Sequence, residues 1–265
     1  MERENINENN GYSQRRASKL GIGTTIVLSF LVALVGGVLG SIVYNSFTAK
    51  PNDISSTVVS TKTIGSIADA VDIAEPSVVD VETDSIDAKG NLIGEAGSGV
   101  IYSQDGYIIT NEHVISRAKK IDVTLSNGKI YSATVVAADN KNDIAILKID
   151  ANDLTPAKFS DSSTLRRGEE IFVIGNPLGE LSGTVTDGII SAENREIELD
   201  GTKMSLIQTN AEINSGNSGG GMFRLSGELI GIVIAKTAGD DLEGLAFVIP
   251  ANKVKECVEN LLKNA

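Results

Sequence analysis

A single histidine, His113 in the stretch TNEHVI, occurs in this chain of 265 residues. Any imidazole chemistry must therefore pass through it. A neutral imidazole can take a proton from a hydroxyl, provided that a carboxylate orients its ring. Asp143, in NDIAILKI, lies 30 residues further on, at the start of an apolar run. A carboxylate there is costly to bury unless something donates to it, and an imidazole N–H is a suitable donor. Asp122, Asp139, Asp150, Asp153 and Asp161 share the interval, and Asp143 is favoured because Ile144 and Ile146 imply burial. Ser218, in INSGNSGGGM, follows after a further 75 residues. A serine hydroxyl is a weak nucleophile until a base takes its proton. Attack on a carbonyl also needs backbone N–H groups aimed at the developing oxyanion, and Gly216 allows the bend that brings the N–H groups of residues 216 and 218 together.

Each residue alone has an ordinary explanation. A lone histidine is most often structural, an aspartate often caps a strand, and a stretch rich in Gly and Asn is often a flexible loop. Their order and the glycine pattern around Ser218 point instead to acyl transfer by an activated serine. Cys257 is a poor rival nucleophile, because it falls in a predicted helix and the one histidine is already committed. It borders that helix's apolar stripe and is expected to be a half-buried free thiol.

The elements that must position these residues are mostly strands. From Ser77 onward, short runs such as SVVDVET, IDVTLS, IYSATVV, EIFVIG, TVTDGIIS, MSLIQT and ELIGIVIA alternate with turn residues. Asp105-Gly106, Asn127-Gly128, Asp200-Gly201 and Ser226-Gly227 read as hairpin turns. The pattern predicts an all-β sandwich or barrel pair. Ile64, Ile67 and Val71 predict a short helix before Pro76. Val254, Val258, Leu261 and Leu262 predict a final helix over 251–263, with Pro250 just before it.

The N-terminal part is different. Gly21 to Tyr44 is uncharged and apolar, and a bilayer core needs about 20 residues in a helix. We read a transmembrane anchor over 20–44. Arg15, Arg16 and Lys19 precede it, so the positive-inside rule puts the tail, 1–19, in the cytoplasm and the rest outside. A Ser/Thr-rich linker, 45–63, joins the anchor to the globular part, 64–265.

Composition narrows the function. The formal charge of −12 argues against nucleic acid, whose phosphates require a basic surface. One histidine and one cysteine leave no ligand set for a zinc site, and no cofactor motif appears. The acidic run GDDLEG, 239–244, is read as a solvated loop. One cysteine also means no intrachain disulfide.

The motifs together resemble the trypsin-like protease domain of the HtrA (Deg) family. The resemblance is carried by GSGVIYSQDGYIITNEHVI, NDIAILKI, IGNPLG, TVTDGIISA, QTNAEINSGNSGG, GELIGI and GLAFVIPANKV, in consistent order over roughly 64–264. It implies a chymotrypsin/trypsin-like pair of six-stranded β-barrels with a C-terminal helix, the first barrel over about 76–160 and the second over about 165–250. It further implies a catalytic triad of His113, Asp143 and Ser218, an oxyanion hole from Gly216 and Ser218, and a substrate pocket walled by Ile213, with Glu212 beside it. A stress-response protease that clears unfolded or misfolded proteins at the cell membrane, often as a homotrimer, is the activity so implied. The family usually adds PDZ domains, so the sequence reads either as an anchored form without one or as part of a longer chain. Ser215 and the Gly221-Met222 pair depart from the family pattern, and both add backbone freedom beside the serine. The loop is therefore expected to be ordered by substrate or assembly. The alternative is a weakly active or inactive substrate-binding or chaperone module on the same barrels. An adhesion ectodomain of the sandwich type would explain the strands but not the motifs.

Overall fold

The computed structural model describes residues 21–47, 66–86, 92–176, 179, 181–199, 201–235 and 246–264. The expected cytoplasmic tail, nearly all of the linker, Asp200 and the GDDLEG run lie outside the described residues. Two compact units result, 1–61 and 62–265.

Helix α1, Ile22–Phe47, runs for 26 residues and has no acidic residue in its first turn and no basic one in its last. Over residues 26–40 its apolar side chains, Phe30 and Val32 among them, are exposed. Among the described residues no helix is long and apolar enough to cross a membrane, so the expected span over 20–44 is not shown.

In the second unit, helix α2, Ile67–Ala74, starts at a capping box in which Ser66 and Asp69 satisfy each other's backbone N–H groups. It ends at a 3₁₀ turn, Glu75–Ser77, that contains Pro76. Six strands follow: β1 Val78–Ile86, β2 Leu92–Ile101, β3 Tyr107–Thr110, β4 Lys120–Leu125, β5 Ile130–Asp139 and β6 Ile144–Ile149. They close into a barrel in the order β1-β2-β3-β6-β5-β4. Six more, β7 Glu170–Gly175, β8 Thr184–Leu199, β9 Thr202–Thr209, β10 Gly221–Arg224, β11 Leu229–Ile234 and β12 Ala246–Pro250, close a second barrel in the order β10-β11-β12-β9-β8-β7. A one-turn helix, α3 Glu112–Ile115, interrupts the first barrel, and α4, Ala251–Asn264, ends the described chain.

The near-continuous apolar runs are explained by burial on both faces of the strands. Val79, Val81, Ile108 and Leu147 fill the first barrel, and Ile171, Val173, Ile207 and Val248 fill the second. The alternate residues, Val78, Val100, Ile109, Ile146, Phe172 and Ile174, form a third cluster that joins the barrels. Phe172 stacks on Phe223 there, with ring centroids 5.5 Å apart. Each fully buried side chain of this size contributes roughly 1.5–3 kcal/mol, so the outward faces of the barrels add to stability as well as their filled interiors. Helix α4 adds Val254, Cys257 and Val258 to this shared cluster. Cys257 is buried, not half-buried, because the helix turns it toward β5, where its thiol donates to Asp139. Burial first, and that carboxylate second, push the thiol up to about 12.

Candidate active site

β3 and β6 pair in antiparallel register, with Thr110 opposite Ala145. This pairing brings the end of one strand beside the start of the other and closes the 30-residue gap between His113 and Asp143. Asn111 continues β3 in extended conformation, and the turn of α3 then begins. Val114 and Ile115 are buried against the first barrel, so the turn is anchored and His113 faces away from that core. Asp143 takes a positive φ of 52°, a left-handed conformation that Asp and Asn tolerate better than most residues. Asn111 Nδ2 donates to the Asp143 carbonyl at 2.8 Å and holds it there.

The Asp143 carboxylate accepts twice from one residue. The backbone N–H of His113 reaches Oδ1 at 3.0 Å, and ring Nδ1 lies 2.8 Å from Oδ2. An ionised carboxylate only accepts, so Nδ1 carries the hydrogen and Nε2 is left as an acceptor. Ser218 Oγ lies 2.9 Å from that Nε2. The backbone N–H of Ala235 also donates to the same hydroxyl oxygen, at 3.1 Å.

The chain before Ser218 forms a tight turn. Asn217 N–H donates to Asn214 C=O at 3.0 Å, and Gly216, the third residue of the turn, has φ +96°. A positive φ at that position alone defines a type II turn. A type I turn would rotate the Ser215–Gly216 peptide plane by about 180° and put a carbonyl where the Gly216 N–H now lies. Among the described residues, neither the Gly216 N–H nor the Ser218 N–H has a protein acceptor. Gly219, after the serine, also has positive φ, and a Cβ there would lie 2.1 Å from the Ser98 carbonyl oxygen. The expected looseness at Gly221 is not found. It opens β10, and a Cβ would meet the Phe223 ring at 2.4 Å, so glycine is needed there for packing.

A cleft of about 510 Å³ lies over these groups, lined by Glu95, Ala96, His113, Ser215, Gly216, Ser218 and Ala235 among others. Ile213 and Glu212 are not part of its lining. Ile213 is partly buried against the second barrel's core, and Glu212 is exposed, with its carboxylate accepting from Asn214 Nδ2. Of the rival aspartates, Asp122 pairs with Lys120, Asp139 accepts from Asn142 and Cys257, and Asp161 caps the 3₁₀ turn Ser162–Thr164. Among the described residues no three His, Cys, Asp or Glu side chains gather as a metal site. Ser98, Asn111 and Ala235, which all hold this site, were not singled out by sequence reasoning. Ser98 and Asn111 carried a signal, since both lie in the first motif, GSGVIYSQDGYIITNEHVI.

The fold is shared with known proteins. Residues 97–232 match the trypsin-like peptidase domain. The chain is 43% identical over 218 residues to serine protease Do-like HtrB of Bacillus subtilis, covering 75% of this chain and 47% of that protein. It is 38% identical over 226 residues to serine endoprotease DegS of Haemophilus influenzae, covering 82% and 66%. Among solved structures, HtrA-type protease AlgW with a tripeptide superposes with a TM-score of 0.68 at 37% identity, covering 76% of this chain and 64% of that one. The chain spans about half the length of several curated relatives it matches.

Proposed function

Because this chain belongs to the HtrA family of trypsin-like serine proteases, we propose that it is a membrane-anchored endopeptidase that cleaves unfolded or misfolded proteins of the cell envelope through His113, Asp143 and Ser218. The single observation that carries the reading is the hydrogen-bonded line Asp143–His113–Ser218, with contacts of 2.8 and 2.9 Å.

In this reading Ser218 Oγ attacks the scissile carbonyl while His113 Nε2 takes its proton. The imidazolium is stabilised by Asp143, which stays ionised and keeps the ring aligned. The substrate carbonyl oxygen becomes an oxyanion and accepts from the free N–H groups of Gly216 and Ser218. His113 then gives the proton to the leaving amine, and the acyl group remains on Ser218 until a water, activated by the same imidazole, releases it. Removing one oxyanion donor in such a site costs about 10²–10³ in kcat, so the turn is a substantial part of the catalysis beside the triad. Ile213 stays the candidate wall of the specificity pocket, with a preference for small or medium aliphatic residues before the cut.

The test uses a fluorophosphonate probe and denatured casein. Wild-type protein should be labelled at Ser218 and should digest casein, and Ser218→Ala should do neither while keeping its Tm. Undiminished digestion by Ser218→Ala would falsify the assignment. Assembly as a homotrimer and an extracytoplasmic position for the barrels belong to the same proposal.

A further inference from the structure

Ser98 belongs to β2, in the first barrel, yet its atoms hold the loop of the second barrel that carries Ser218. Its backbone N–H donates to the Ser218 carbonyl at 2.8 Å. Its hydroxyl lies 2.8 Å from the Gly216 carbonyl oxygen and 2.9 Å from the backbone nitrogen of Asn176, just past the end of β7. The Asn176 N–H can only donate, so the hydroxyl accepts there and its one hydrogen goes to Gly216. The Ser98 carbonyl accepts from Thr110 Oγ1 at 2.7 Å, and the residue is fully buried. Asn176 is fixed in turn, since its Oδ1 accepts the N–H of Leu181 and its side chain hydrogen-bonds the buried Asp80 carboxyl.

The Asn217-to-Asn214 bond fits a type I turn as well as a type II turn, so it does not by itself fix the aim of the Gly216 N–H. Gly216 has no side chain to restrict it. The Gly216 carbonyl and the Asn217 N–H share one peptide plane, which lies between the two planes that carry the Gly216 and Ser218 N–H groups, and Ser98 holds the carbonyl end of it from the buried part of β2. We propose that Ser98 is a positioning residue for the oxyanion turn, holding the Gly216 carbonyl so that the Gly216 and Ser218 N–H groups stay aimed at one point. The inference rests on the reading of Ser218 as nucleophile. It makes the first barrel a contributor to oxyanion stabilisation as well as the source of the imidazole and the carboxylate.

The donors survive in Ser98→Ala and only their aim is loosened. A displacement of about 1 Å at a catalytic group can cost about 10²-fold, so a fall in kcat of about 10- to 100-fold is expected, with KM within about twofold. The decisive comparison is between two ligands of the full-length protein. A peptide boronic acid forms a tetrahedral adduct on Ser218 and uses the turn, whereas an uncleaved peptide bound to Ser218→Ala protein does not. Ser98→Ala should weaken the boronate by the same factor as kcat, leave the ground-state peptide affinity unchanged in the Ser218→Ala background, and leave the pH profile in place. Should Ser98→Ala not fold, Ser98→Cys, which keeps a weak donor, is read in the same way. Unchanged kcat, or equal losses of boronate affinity, peptide affinity and Tm, would overturn the proposal. Failure of the wild type to cleave or label would instead remove the function reading on which it rests.

Discussion

The chemistry at the residue scale depends on which nitrogen of His113 holds the hydrogen. Asp143 decides this by accepting from both the ring Nδ1 and the backbone N–H of the same histidine. An asparagine has one accepting and one donating end. If its oxygen keeps the backbone N–H, its amide N–H₂ faces Nδ1, the ring hydrogen moves to Nε2, and the base is lost. Asparagine also tolerates the positive φ of 52° at this position, so the backbone need not change. Asp143→Asn should therefore lower kcat by about 10⁴ with little change in Tm, as read by peptide hydrolysis beside thermal melting. A variant within tenfold of wild type would show that another group orients the ring.

Among the elements, helix α4 reaches its place through a polar joint as well as its apolar stripe. Asp161 accepts from Ser163 N–H and Oγ–H and from Asn252 Nδ2, so one exposed carboxylate links the turn before β7 to the first turn of α4. The bonds from Ser163 and Asn252 lower its carboxyl from the ordinary 3.8 to about 2. A carboxyl lowered by folding stabilises the native state above its unfolded value, and that contribution disappears as pH falls through the folded value. Asp161→Ala should therefore melt earlier than wild type above about pH 4, with the two curves converging as the pH falls toward 2. Melting by circular dichroism across that range checks it, and a constant gap at every pH would assign the effect to packing. The long β8–β9 hairpin shows the opposite economy, with two register shifts between Ile190 and Arg195 absorbed without loss of the ladder beyond them.

The whole molecule places Ser218 and His113 on different barrels, and the cluster of outward-facing strand residues that includes Phe172 and Phe223 keeps the two in register. No loop alone could hold Ser218 2.9 Å from a histidine 105 residues away. At the same scale, the membrane anchor belongs to the proposed function, since no helix among the described residues is long and apolar enough to show a span. In cells, the full chain should pellet with membranes and resist extraction by alkaline carbonate, and protease added outside should reach the barrels. Release by carbonate would argue against the span.

Much of this protein is readable along the chain. Alternating apolar runs and turn pairs such as Asn127-Gly128 and Ser226-Gly227 determine strands, because strand periodicity and positive φ are local properties. The helix over 251–263 and the motif residues His113, Asp143 and Ser218 are legible for the same reason. What only the tertiary structure decided is how these pieces serve one another. The meeting of Asp143 with His113 across 30 residues comes from the register of β3 on β6. The handedness of the turn at Gly216 and the absence of Glu212 from the cleft required coordinates. Ser98 lies inside a motif, yet its own role is not legible there, since a serine in a strand has no local reason to matter. Its role comes from a hydroxyl that crosses between two barrels, and contacts between residues 118 apart leave no periodic trace in the chain.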